Sequence, residues 1–193
     1  MKSFNLPKGD EHFAQFFPIY QRQAYWAAMQ LTKNTRTAID VGAHTGLWTT
    51  RLQMDFLRVY AFEPDPENFK CLNRNVWDSN WLFRAALGAE PGWVGLSNPK
   101  PNNSGAWEIT EGSDVIQMRM DDIPIKKLDL IKIDVQGSEE SVLIGGAGTI
   151  RIWKPTIIME ENNEKAGELL KEWGFRERVV VNKDIIWTHQ DND

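Results

Sequence analysis

The stretch Thr37-Ala38-Ile39-Asp40-Val41-Gly42-Ala43-His44-Thr45-Gly46 decides the fold. Five residues that read as a buried strand run into a turn bracketed by two glycines. A helical pattern, Leu47–Phe56, follows directly. A second strand, Arg58–Phe62, ends at Glu63-Pro64, and a second helix covers Pro66–Trp77, with proline in the first turn where its missing N–H costs nothing. Strands alternating with helices of about ten residues predict βαβ units and a parallel sheet. Working outward, Trp81–Leu87 reads as a third strand, Leu128–Asp134 as a near-continuous apolar fourth, and Thr156–Met159 as a fifth. Helices are expected at Ile19–Lys33, after Ser138 as N-cap, and over Asn163–Trp173. Arg178–Val181 and Ile185–Trp187 form a terminal hairpin around Asn182-Lys183-Asp184. The expectation is an α/β, doubly wound, mostly parallel sheet with an antiparallel C-terminal hairpin strand. An aromatic segment and helix (1–34) precede a Rossmann-like domain (35–193). Gly92–Leu96 and Asp114–Met120 read as antiparallel additions, separated by a polar loop, Ser97–Ser113, long enough to imply either binding or mobility.

With 193 residues, 41% of them hydrophobic and 25% charged, the chain has the make-up of one globular domain. The net charge of −5 argues against an electrostatic grip on nucleic acid. The single Cys71 excludes an internal disulfide or a cysteine zinc cluster. The first eight residues carry no apolar run of the secretory kind, and no run approaches a membrane span. The expectation is a cytoplasmic protein with no membrane partner.

In an open parallel sheet, ligands bind beyond the carboxyl ends of the strands. The residues to read are therefore Asp40–Gly46, Glu63-Pro64, Asp134–Gly137 and Glu160-Glu161-Asn162. Glu63 lies 21 residues after Gly42, the spacing of an acid that accepts ribose hydroxyls. The dinucleotide fingerprint is absent, because His44 and Thr45 stand in the turn, and a pyrophosphate wants a glycine-rich one. The bulkier turn suits S-adenosylmethionine, an adenosine cofactor without phosphate. Gly42 and Gly46 serve equally well as a tight strand-to-helix turn. Lys132 is two residues from Asp134, on the same strand face, and a buried lysine needs an anion, here Asp40 or Asp134.

Three segments carry a resemblance: Ala38–Trp48, Ala61-Phe-Glu-Pro-Asp65, and Leu130-Ile-Lys-Ile-Asp-Val-Gln-Gly-Ser-Glu139 followed by Val142-Leu-Ile-Gly-Gly146. Together they resemble the FkbM family of S-adenosylmethionine-dependent methyltransferases. The resemblance implies a class I methyltransferase fold and a hydroxyl acceptor on a glycan or small molecule. Candidate cofactor contacts are Asp40, Gly42, Ala43, His44, Gly46, Glu63, Pro64 and Asp134. Candidate proton acceptors are Asp134, then His44 and Glu160; no metal is assigned, although Glu160, Glu161, Asn162 and Asp134 are hard oxygen donors. Two departures stand out: His44 where the family often has Asn, and Gln136 where it often has Glu. No Pro-Cys nucleophile, Asn/Asp-Pro-Pro-aromatic motif or G-x-S-x-G elbow is present. The alternatives are a nicotinamide-type oxidoreductase and a lapsed S-adenosylmethionine-binding module.

Overall fold

The computed structural model describes residues 4–11, 13, 15, 19–77, 81–100, 102–160 and 163–192. Its elements are α1 (Arg22–Leu31), β1 (Thr37–Val41), α2 (Leu47–Asp55), β2 (Arg58–Phe62), α3 (Pro66–Asn75), β3 (Leu82–Phe83) and β4 (Ala86–Leu87). Then follow β5 (Gly92–Ser97), β6 (Glu108–Met118), β7 (Leu128–Ile133), α4 (Glu139–Gly145), α5 (Ala147–Trp153), β8 (Thr156–Glu160), α6 (Glu164–Glu172), β9 (Phe175–Val181) and β10 (Asp184–His189). Seven strands form one sheet in the order β3-β2-β1-β7-β8-β10-β9, with β10 antiparallel to both neighbours. The mostly parallel sheet and antiparallel C-terminal strand are as expected from the sequence.

The central strands β1 and β7 are buried throughout because helices cover both faces, which is why they read as apolar runs. On one face, Ala24 and Ala28 of α1 and Trp48 and Leu52 of α2 pack on Ala38, Val59, Leu130, Ile158 and Ile186. On the other, Leu143, Ile150 and Leu170 from α4, α5 and α6 pack on Ile39, Tyr60, Phe62, Ile131, Ile133 and Trp187. Residues 22–31 thus share the core of the sheet. Among the described residues no helix is long and apolar enough to cross a membrane.

Three expectations are corrected. The run 81–87 is not one strand: the chain breaks at Arg84-Ala85, so that β3 joins the main sheet while β4 joins a second, three-stranded sheet with β6 and β5. The polar loop is shorter than read, because β6 begins at Glu108, and its polar residues face outward on an exposed hairpin. Ser138 occupies the N-cap position of α4 but its side chain makes no capping bond; Glu139 instead accepts the N–H of Gly137 at 3.2 Å.

One irregularity positions the site. Thr37 pairs with Leu128 but Ala38 pairs with Leu130, so Asp129 is an extra residue in β7. Its carboxylate takes the backbone N–H of Arg36 at 2.7 Å and binds the Arg36 guanidinium. A one-residue slip exchanges strand faces. The bulge therefore sets Lys132, rather than Ile131, beside Asp40.

Candidate active site

The turn after β1 is built around two glycines with positive φ, Gly42 (73°) and Gly46 (89°). A Cβ on Gly42 would stand 2.0 Å from the carbonyl oxygen of Asp134, and one on Gly46 2.7 Å from Leu72 Cδ1. Gly42 is thus demanded by close backbone packing and Gly46 by its positive φ and the Leu72 side chain, whatever the turn binds. His44 adopts φ 52°, a region that Asn and His enter more readily than most residues. Its N–H then reaches Glu63 Oε2 at 2.8 Å. This conformation accounts for His at a position where the resemblance has Asn.

Beyond the carboxyl ends of β1, β2, β7 and β8 lies a cavity of about 340 Å³, in the range of small-molecule sites. Gly42, Ala43, His44, Glu63, Pro64, Asp134 and Glu160 line it, as do Phe62, Leu87, Val135 and Gln136. Asp40 and Gly46 lie outside the lining. Asp40 is fully buried beneath the turn, where Oδ2 accepts from Thr49 at 2.6 Å and Oδ1 sits 3.4 Å from Lys132 Nζ. Gly46 caps α2. Asp40 is therefore a support of the turn rather than a wall of the cavity.

Lys132 meets both expected anions: Asp40 at 3.4 Å and Asp134 Oδ2 at 3.5 Å, while its ammonium donates to Gly42 O at 2.8 Å. Burial pulls its pKa down, but Asp134 and Asp40 outweigh burial and leave it raised. It stays charged, so the turn, β1 and β7 are tied by one cation.

Glu63 is 4% exposed. Burial pushes its carboxyl up to about 7, against the N–H groups of Asp65 (3.0 Å) and His44 that stabilise the ionised form. Glu160 is raised by burial and then by Asp134. Asp184, directly across from Glu160 in the β8–β10 register, is pushed up to about 7 by burial, then by Asp134 and Glu160. Gln21 donates to Asp184 at 3.0 Å and accepts from the Trp48 indole at 2.6 Å. Tyr20 borders the cavity, and burial, followed by Asp134, raises its phenol.

His44 is engaged on both ring nitrogens. Ser104 donates its hydroxyl hydrogen to Asp10, so His44 Nε2, 2.5 Å from Ser104 Oγ, must carry the hydrogen of that contact. Nδ1 faces Thr45 Oγ1 at 3.5 Å, and burial lowers the imidazole to about 4. Phe13 packs edge-on to the ring at 4.7 Å. The imidazole is thus a neutral link that straps the 98–107 loop to the glycine turn.

Sequence reasoning missed Asp184, Tyr20, Ser104, Asp10 and Asn68. Only Asn68 carried a local signal, five residues after Glu63 in the first turn of α3. Glu161 and Asn162 lie outside the described residues. Among the described residues no group of three or more His, Cys, Asp or Glu is arranged to hold a metal ion.

A model of the methyltransferase FkbM domain matches residues 40–177. The chain belongs to this family. Solved structures share the fold. An FkbM methyltransferase from Methylobacillus flagellatus KT aligns at 17% identity and TM-score 0.54, over 80% of this chain and 44% of that one. A precorrin-6y C5,15-methyltransferase from Geobacter metallireducens GS-15 aligns at 12% identity and TM-score 0.54, over 95% and 92%. A SAM-dependent methyltransferase from Aquifex aeolicus aligns at 13% identity and TM-score 0.52, over 93% and 97%. The chain spans less than half of the Methylobacillus FkbM protein. No curated protein sequence matches it. For this FkbM-family chain the match covers the glycine turn, Glu63, Asp134 and Glu160, and stops within β9.

Proposed function

We propose that this FkbM-family chain transfers the methyl group of S-adenosylmethionine to a hydroxyl of a glycan or small molecule. The observation that carries the reading is the cavity wall itself: a buried Glu63 carboxylate beside a turn whose His44 and Thr45 leave no glycine cradle for a pyrophosphate. The residues present suit the cofactor. Glu63 would accept ribose hydroxyls, Phe62, Leu87 and Val135 would offer apolar surface to the adenine, and Asp134 would pair with the cationic ammonium. S-adenosylmethionine supplies an electrophilic methyl on a good leaving group.

What the chain must add is orientation and removal of the acceptor proton. Asp134 and Glu160 both border the cavity. Asp134 has Lys132 at 3.5 Å, so its carboxylate is already engaged in an ion pair. Glu160 has its proton affinity raised, towards the working pH where general bases are most effective. Glu160 is accordingly placed ahead of Asp134 as the base, with Asp134 and Lys132 orienting the reactants. His44, neutral and committed to Ser104, leaves the list of bases.

The test is a labelled-methyl transfer assay over glycans, small alcohols, amines, peptides and nucleic acids, alongside calorimetric titration with S-adenosylhomocysteine and NAD. Transfer to a hydroxyl with S-adenosylhomocysteine binding supports the reading. Preference for NAD, or binding without transfer to any acceptor, overturns it in favour of an oxidoreductase or a lapsed module.

A further inference from the structure

Asn68 is 2% exposed and borders the cavity. Asp65, the N-cap of α3, fixes its backbone by accepting its N–H at 2.8 Å. The side-chain nitrogen donates to Ser104 O at 2.8 Å and faces Glu63 Oε1 at 3.4 Å. Both neighbours are acceptors, so the amide cannot be flipped without setting oxygen against oxygen. That leaves Oδ1 buried with no hydrogen-bond partner. Buried polar groups are rarely left so, and an unsatisfied acceptor on a residue that borders a cavity calls for a donor from a ligand.

The donor's chemistry follows from the neighbour. Glu63 already takes two backbone N–H groups and keeps further lone pairs. Two acceptors side by side, one anionic and one neutral, match a vicinal diol. We propose that Asn68 is a second ribose-binding residue: its Oδ1 accepts one hydroxyl of the adenosyl ribose while Glu63 accepts the other, and its amide nitrogen ties that occupancy to the 98–107 loop. This rests on the reading of the cavity as an S-adenosylmethionine site.

The coupling has a mechanical basis. Ser104 is held by Asn68 through its carbonyl, and by Asp10 and His44 through its hydroxyl. Lys100, Asn103, Ser104 and Trp107 of that loop border the same cavity. A ribose that immobilises Asn68 therefore firms the wall that these loop residues form.

The experiment measures binding of S-adenosylhomocysteine and its 2′-deoxy and 3′-deoxy analogues to the full chain and to Asn68→Ala, with hydrogen exchange of residues 102–107. The expected result is a roughly threefold to tenfold weaker binding of the parent compound by the variant. One of the two deoxy penalties seen in the wild type then falls below twofold in the variant. The parent compound slows exchange in the loop of the wild type, and that deoxy analogue, at saturation, slows it less. Deoxy penalties unchanged in Asn68→Ala overturn the proposal while leaving the cofactor reading intact; a wild type that does not bind S-adenosylhomocysteine overturns both. If the variant does not fold, the wild-type exchange arm decides: equal protection by all three compounds sinks the coupling.

Discussion

Replacing Lys132 with methionine removes a cation of similar reach and leaves its anions behind. Asp40 is the critical one: it is fully buried, Thr49 donates to Oδ2, and among the described residues Lys132 is the only cation paired with Oδ1. Asp134 keeps 17% side-chain exposure and can turn to water. Breaking a buried pair from one side typically costs about 3–5 kcal/mol. For a chain of this length that corresponds to a fall in Tm of roughly 6–20 °C. The sign with pH follows from the stranded carboxylate. A charge stranded in the core is costly only while it is ionised, so the variant's deficit grows as pH rises. The deficit against wild type is therefore largest near pH 8 and shrinks towards pH 4. Asp40→Asn in the same chain removes the stranded charge and restores part of the loss. Thermal unfolding followed by circular dichroism at pH 5 and pH 8 checks all three points. A Tm within about 3 °C of wild type at pH 8, or a double variant worse than the single one, refutes the view that one buried cation holds β1, β7 and the turn together.

Wild-type stability is expected to fall as pH rises from about 4.5 to 7, because the folded pKa of Glu63, about 7, lies above its ordinary value and the native state holds the extra proton. Glu63 contributes on the order of 3 kcal/mol of this change and Asp184 acts in the same direction. Urea unfolding at pH 5 and 8 should show a smaller slope in Glu63→Gln, and an identical slope contradicts the assignment. Glu160→Gln should lower turnover by ~10²–10⁴ with S-adenosylhomocysteine affinity within threefold of wild type; turnover kept within fivefold removes Glu160 as the base. Gly42→Ala should destabilise by roughly 2–3 kcal/mol through strain at φ 73° and contact with Asp134 O, read by chemical denaturation, and a neutral result would mean that the turn relaxes.

Much of the frame was legible in the chain. β1 and β2 begin and end where the apolar runs and the flanking Gly42 and Glu63-Pro64 put them, because a strand buried on both faces must be apolar and punctuated. The pairing of Lys132 with acids was legible too, since a lysine inside such a run has no other means of remaining charged. The break at Arg84-Ala85 was not, because a short apolar run reads alike whether it stays in one sheet or crosses to another. The start of β6 was hidden for a related reason: a solvated hairpin needs no hydrophobic alternation.

Local pattern determined the central strands β1, β2, β7 and β8 and which carboxylates stand at their ends. Tertiary structure alone decided who meets whom. The bulge at Asp129 chose Lys132 as the partner of Asp40; β10 brought Asp184 across from Glu160; and the 98–107 loop brought Ser104 to Asp10, His44 and Asn68. The physical reason is that periodicity records only whether a side chain faces core or water. A hydrogen bond between residues 36 or 94 positions apart leaves no trace in either local pattern.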